Sequence, residues 1–315
     1  MRLTGAAAPP GLATAALSVA PAALAWLRSG LRGHILHVFD RAAYVIDDRG
    51  EMLLLAAPPV GMGPFTLQAD VRDRPLTESI SIDEPAVVLQ DCLCVGVISI
   101  RLDTAAPWRA APDWERLRRR GASWFSALPG IRHVLRSHGR GGVFAGLVAD
   151  ESGPRGQTID DRLARAARRA ADDQLEALAS DDEATLTRSA CGLAGLGKGF
   201  TPSGDDFLMG TMFALWATMP AEVARRRSRW LFGAAAKRTT RASAAWLAAA
   251  ARGEAAEPWH RLFASLVEDR IDDARAAAQR ILQTGHTSGE DALIGLVGGV
   301  ESLLTRVTHS PDSDR

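Results

Sequence analysis

The chain has 315 residues, of which 47% are hydrophobic and 23% charged, so one large or two ordinary globular domains are expected. Lys and Arg together number 37, as do Asp and Glu, and this balance does not favour nucleic acid or an anionic membrane as a partner. Three cysteines are too few for a disulfide framework, and no apolar run is long enough to span a membrane. We therefore expect a cytoplasmic protein.

The first third of the chain is predicted to be β-rich. Residues 1–32 are Ala-rich and interrupted by Pro21, which suggests a loose N-terminal segment leading to a helix rather than a signal peptide. Residues 33–106 contain many short apolar runs with little room for helices, as in an antiparallel sheet or small barrel. The predicted strands are His34–Phe39, Tyr44–Ile46, Met52–Leu55, Pro64–Leu67, Ala86–Leu89 and Leu93–Ile100, with a hairpin turn at Asp47–Gly50.

Residues 107–308 are predicted to form a mainly helical domain, and residues 309–315 a disordered tail. The fold class is therefore α+β, with a β-rich front followed by helices. A glycine-rich break occurs at Gly139–Gly142. Helical periodicity is clearest over Asp160–Ala179, Ala221–Ala236, Ser243–Ala251 and Trp259–Leu282.

The helical part contains the pattern S-G-x-D-x-L-x-G twice, at Ser203–Gly210 and at Ser288–Gly295. We call these the first and second motif copies. Each has the composition of a helix start, where backbone N–H groups are unpaired and a partial positive charge develops. The first copy follows the glycine-rich turn Gly195–Gly199, which can bring its backbone close to a ligand. Such a turn suits an anion such as phosphate, and Lys198 would add positive charge.

Ser203 is predicted to cap the first helix with Asp206 three residues on, and Thr201 before Pro202 is a second candidate cap. We hypothesise that the two copies face each other across a pseudo-twofold axis. The alternative is that both are merely well-capped buried helices. Ser203 lies in no nucleophile elbow, so an anion-binding hydroxyl is favoured over a covalent nucleophile.

Other polar residues are candidates for the same site. His286 directly precedes the second copy, and Thr240 and Ser243 open a further helix. Asp205 and Asp206 stay open as ligands of Mg²⁺ beside a phosphate, although adjacent side chains on a helix diverge by about 100°. No Cys/His cluster predicts a transition-metal site, and no other cofactor is expected.

The stretch Gly195–Gly210, with Gly-Leu-Gly-Lys-Gly-Phe-Thr-Pro-Ser-Gly-Asp-Asp at its start, resembles the signature of the AllH-like family. The resemblance extends to Gly33–Ala43, Met62–Phe65, Thr240–Gly253 and Gly285–Gly295, and so covers roughly residues 30–305. It implies a subunit of oxamate carbamoyltransferase, from allantoin degradation in purine catabolism. That enzyme interconverts oxalurate and phosphate with oxamate and carbamoyl phosphate. The implied partners are further carbamoyltransferase subunits and small anions.

Combining the motif copies with this resemblance gives a set of site residues. Asp206, Asp291 and Asp205 are the catalytic candidates, acting as base or as acceptors of hydrogen bonds from an amide. Two other functions stay open: a kinase or ligase that uses ATP or an acyl phosphate, and a non-catalytic assembly subunit. The predicted anion-binding residues are Gly197, Lys198, Gly199, Thr201, Ser203, Gly204, Thr240, Ser243, His286, Thr287, Ser288 and Gly289.

Overall fold

The structure is a computed structural model that describes residues 12–30, 32–71, 74–148, 159–180 and 182–307. These residues fall into two compact units, one up to Ala110 and one from Ala111 onward. The predicted tail at 309–315 lies outside the described residues. In the part of the chain that is described, no helix is both long enough and apolar enough to cross a membrane.

The first unit is a β-barrel with one helix, α1 (Pro21–Arg28). The described strands are β1 (Leu12–Val19), β2 (Arg32–Phe39), β3 (Ala42–Asp47), β4 (Met52–Ala56), β5 (Thr66–Ala69), β6 (Pro85–Leu89), β7 (Cys92–Val95), β8 (Ile98–Arg101) and β9 (Ala106–Pro107). Their order in the sheet is β5-β4-β3-β2-β6-β7-β8-β1-β9, and β1 also pairs with β5, which closes the barrel.

The barrel is predominantly antiparallel, as the sequence predicted, but β1 runs parallel to β8 and β9, and β4 runs parallel to β5. Strands β3 and β4 are buried along their whole length, and α1 packs against β4 and β5. Side chains such as Ile35, Val45 and Leu53 are fully buried and fill the core. Burial of β-branched and other apolar side chains therefore stabilises this unit.

Two sequence predictions in this unit were wrong. The segment predicted to be a loose start contains β1, which joins three other strands. Its small, Ala-rich side chains hid the β pattern, and the pairing is decided by partners far along the chain. The single strand predicted at Leu93–Ile100 is two strands, β7 and β8, because Gly96 adopts a φ of 54° and reverses the chain.

The second unit is helical, as predicted. Its described helices are α2 (Trp114–Arg119), α3 (Leu128–His138), α4 (Ile159–Leu178), α5 (Glu183–Leu193), α6 (Ser203–Thr218), α7 (Ala221–Ala235), α8 (Arg241–Ala251), α9 (Glu257–Val267), α10 (Ile271–Leu282) and α11 (Ser288–Val307). Where the sequence predicted helix over Trp259–Leu282, α9 and α10 are separated, because Asp269 adopts a left-handed φ of 57°.

Helix α6 occupies the centre of the second unit. All of its residues except Met209 and Thr218 are buried. Helix α11 makes its most extensive contact with α6. An aromatic cluster supports the far end of α6, and its members are Trp114, Phe213, Trp216, Trp259 and Phe263.

Candidate functional site

The two motif copies start α6 and α11, and these helices cross at the glycine of each copy. A Cβ added to Gly210 would lie 1.9 Å from the carbonyl oxygen of Ala292, and one added to Gly295 would lie 2.2 Å from that of Phe207. Phe207 and Ala292 occupy equivalent positions in the two copies. The contact is therefore reciprocal, and it supports the pseudo-twofold hypothesis.

The glycine that follows the serine of each copy, Gly204 or Gly289, has a different role. A Cβ on Gly204 would lie 2.0 Å from the carbonyl oxygen of Leu193, at the end of α5. A Cβ on Gly289 would lie 1.8 Å from that of Ile281, near the end of α10. Both glycines are buried where a preceding helix packs closely against the motif. They allow the close packing that brings the helix starts into position.

The hydroxyls of the first copy do not cap their own helix. Helix α6 begins at Ser203 with Pro202 in the cap position and no side-chain cap, so both predicted caps were wrong. Thr201 Oγ1 instead donates to Asp206 Oδ2 at 3.2 Å and lies 2.9 Å from Ser288 Oγ. Since these hydroxyls contact a carboxyl group and the other motif copy, simple helix capping does not account for them.

Asp206 is buried between the two motif copies, beside the hydroxyls of Thr201 and Ser288. Burial raises its pKa well above the usual value of 3.8, and the nearby charge of Asp291 raises the pKa further, although both hydroxyls act in the opposite direction. Protonation of Asp206 is therefore easier than that of an exposed carboxyl group.

Asp291 is the equivalent residue of the second copy and is fully buried. Burial raises its pKa from 3.8 to about 7, against the opposing effect of the Ser203 and Thr287 hydroxyls and the Phe144 backbone N–H. These groups lie close, but neither carboxylate oxygen of Asp291 has a well-formed hydrogen bond to a described residue. Each carboxyl group thus lies beside the serine of the other copy, and Asp291 is left with unused hydrogen-bonding capacity.

The acidic residue just before each of these carboxyl groups holds a glycine-containing loop. Asp205 accepts a hydrogen bond from the Gly195 backbone N–H at 3.0 Å and another from the Thr239 hydroxyl. Glu290, its counterpart, accepts from the backbone N–H groups of Arg140 at 2.7 Å and Gly142 at 3.3 Å. Burial is also the main cause of a raised pKa at Asp205.

Comparison with known families matches both units. A family model described as oxamate carbamoyltransferase subunit AllH matches residues 193–300, which include both motif copies. A second, described as the AllH family N-terminal domain, matches residues 15–107, which span the barrel. The chain belongs to the AllH family. No solved structure matches the chain.

The other predicted residues of this AllH-family site lie around the two helix starts. Gly197 and Gly199 have φ values of 109° and 118°, which favour glycine, and Lys198 between them is exposed. A Cβ at Gly197 would lie 2.9 Å from the Ser203 backbone nitrogen, so the turn packs directly on the start of α6. His286, just before α11, is exposed.

Thr240 and Ser243 connect α8 to this turn. Thr240 caps α8 by accepting from the Ser243 backbone N–H, and its hydroxyl donates to the Phe200 carbonyl oxygen at 2.9 Å. The buried Ser243 hydroxyl lies close enough to Asp205 to oppose the rise in its pKa. Both residues therefore support the glycine-rich turn, so their observed contacts are structural.

Arg140, Gly142 and Glu290 also lie around the start of α11, but they were not predicted from the sequence. The glycine-rich stretch Gly139–Gly142 was read only as a flexible break, whereas its backbone packs on the first turn of α11. Its glycines were the available signal. A cavity of ≈ 320 Å³ is lined by Arg132, Arg168 and Glu301 among others, and it includes none of the predicted site residues.

Proposed function

We propose that this chain is a subunit of oxamate carbamoyltransferase and that its anionic substrates bind where the starts of α6 and α11 meet. Family membership supports the enzyme assignment. The observation that carries the location is the pair of buried carboxyl groups, Asp206 and Asp291, each beside the serine of the opposite motif copy. The starts of α6 and α11 also carry the partial positive charge of a helix N-terminus, which suits anions.

The chemistry requires a proton at one nitrogen. When phosphate attacks the carbamoyl carbon of oxalurate, a new C–O bond forms and the C–N bond to oxamate breaks. The electron pair of that bond goes to the oxamate nitrogen, which must gain a proton. A neutral Asp206 or Asp291 donates this proton, and the resulting carboxylate takes it back from the oxamate amide in the reverse reaction.

The raised pKa values also explain how carboxyl groups and anions share one site. An ionised Asp206 would repel phosphate and carbamoyl phosphate, whereas the neutral acid donates a hydrogen bond to them. The partial positive charge of the two helix starts then stabilises the charge on the transferring group. Asp205, which holds the glycine-rich turn, is assigned a positioning role beside this chemistry.

Two other functions use the same residues differently. A kinase or ligase would bind the phosphates of ATP at the glycine-rich turn. Asp205 and Asp206 contact different partners, so Mg²⁺ would be held by one of them together with a phosphate rather than by both. An assembly subunit would bind none of these ligands and would use the motif copies only for packing. We also propose that this chain assembles with further carbamoyltransferase subunits.

Thermal-shift titration of the full chain distinguishes these functions. Carbamoyl phosphate, inorganic phosphate and oxamate are expected to raise the unfolding temperature, and ATP is not, with or without Mg²⁺. The shift by carbamoyl phosphate should be lost in Asp206→Asn and kept in Asp172→Asn, an exposed control on α4. A shift with ATP alone would favour the kinase or ligase, and no shift with any ligand would favour the assembly subunit.

A further inference from the structure

The loop Gly139–Gly142 is fixed on the first turn of α11. The buried Glu290 carboxylate accepts the backbone N–H groups of Arg140 and Gly142. A Cβ on Gly142 would lie 2.8 Å from Asp291 Oδ1, so a larger residue would require this carboxyl group to shift. The loop is thus part of the second motif copy's surroundings, although it comes from the far end of α3.

The Arg140 side chain is exposed but held in place. Its Nη1 donates to the carbonyl oxygens of Gly285 at 3.0 Å and His286 at 3.1 Å, in the turn just before α11. Within the described residues it forms no ion pair with a carboxylate, and no hydrogen bond from its Nε or Nη2 occurs. The Arg140 guanidinium is therefore held in one orientation without a carboxylate partner among the described residues. It lies beside the start of α11, the helix that contains Asp291, whose carboxylate oxygens have no well-formed hydrogen bond.

We propose that Arg140 determines specificity by binding the carboxylate of oxalurate and oxamate, whereas phosphate binds at the glycine-rich turn beside Lys198. This inference rests on the proposed function. The guanidinium plane matches a carboxylate with two parallel hydrogen bonds, and Lys198 is a point charge suited to phosphate. Since the oxamate carboxylate adjoins its amide, Arg140 would direct the reacting nitrogen towards Asp291. Glu290 is then a positioning residue, because it holds the Arg140 backbone.

Steady-state kinetics of the assembled enzyme test this assignment. Arg140→Ala is expected to raise the KM for oxalurate about tenfold or more, as loss of a charge-assisted hydrogen bond would, with the KM for phosphate changed less than about twofold. Arg140→Lys should recover only part of this loss because lysine lacks the planar fork. Lys198→Ala should show the opposite division, raising the KM for phosphate.

Arg168→Ala is the matched control, because Arg168 is also exposed, its Nη1 donates to the Gly146 carbonyl oxygen at 3.0 Å, and within the described chain its hydrogen bonds and ion pairs involve none of the predicted site residues. The loop stays attached through the Arg140 backbone N–H, so Arg140→Ala should fold, and Arg140→Lys gives a second reading if it does not. An unchanged oxalurate KM, or a phosphate KM raised as much, would overturn the assignment. If Asp206→Asn is inactive at the same time, the proposed function survives that failure.

Discussion

Asp206 and Asp291 differ from most acidic side chains in this protein because they are buried without a cation. The groups nearest to them are hydroxyls, including the serine of the opposite motif copy, and a hydroxyl stabilises a carboxylate less than an ion pair does. Leaving a carboxyl group in this state costs free energy that a structural role would not require. Strongly perturbed carboxyl groups at a helix junction are typical of functional sites.

Asp291 predicts a pH dependence of stability. Its pKa is raised from 3.8 to about 7, so the folded state binds this proton more tightly than the unfolded state. The free energy of unfolding should therefore fall as pH rises from about 4 to about 7, by at most about 1.4 kcal/mol per pH unit from this residue. Asp291→Asn should remove this contribution and be more stable than the parent at pH 8.

Urea denaturation of the parent chain and of Asp291→Asn at pH 5 and pH 8 checks this outcome. Asp172→Asn serves as the control, because Asp172 is exposed and its replacement should leave the pH dependence of unfolding unchanged. An equal fall in unfolding free energy between the two pH values in parent and Asp291→Asn would show that Asp291 is not the buried neutral acid described.

The repeated spacing in the sequence singled out Ser203, Asp206, Ser288 and Asp291, which the structure brings close together, but it did not predict their contacts. Spacing along one helix suggested that Ser203 caps its own helix, but the neighbouring helix offers it a carboxyl group instead. A partner so distant in sequence leaves no local pattern, so Arg140 and Glu290 were missed for the same reason.

At the level of elements, the reciprocal glycines decide how closely α6 and α11 can approach. A methyl group at Gly210 would collide with the Ala292 carbonyl oxygen, which belongs to a helix backbone and cannot move alone. The two helices would have to separate, and Asp206 would lose its contact with Ser288. The repeated pattern in the sequence led to the hypothesis that the two motif copies face each other, but it did not predict that the helices cross at Gly210 and Gly295.

Gly210→Ala is therefore expected to lower the free energy of unfolding by about 1–3 kcal/mol, as overpacking of a core does, and to reduce turnover. Gly233→Ala is the matched control, since Gly233 lies exposed in α7 with no atom within 4 Å of an added Cβ. That change should raise stability by about 0.5–1 kcal/mol through helix propensity. Comparable stability of both variants in chemical denaturation would contradict the close crossing.

The same limit applies to the longer elements. Helices with strong periodicity, such as α4 and α7, were predicted to within a few residues. The break between α9 and α10 was not, because Asp269 carries no glycine or proline signal for its left-handed backbone. Strand β1 was missed since barrel closure, and not local propensity, selects it.

At the scale of the whole molecule, the two compact units correspond to the two family matches, and the carboxyl pair lies wholly in the helical unit. The order of a β-rich unit followed by a helical one followed from the change in composition along the sequence. The proposed catalytic site depends on two separate arguments. The family resemblance suggests the reaction, and the crossing of α6 with α11 suggests where in the chain it takes place.

Turnover by the assembled enzyme carrying Asp206→Asn tests the central claim most directly. Asparagine fills the same space but has no acidic proton to transfer. The fold should therefore persist, while carbamoyl transfer falls by at least about 100-fold in both directions. Carbamoyl phosphate formed from oxalurate and phosphate, and its consumption with oxamate, would be measured beside Asp172→Asn. Loss of both reactions in a folded variant is the predicted result. Near-normal turnover would contradict a role of Asp206 as the acid, and near-normal turnover of Asp291→Asn as well would show that the chemistry does not occur at the junction of α6 and α11.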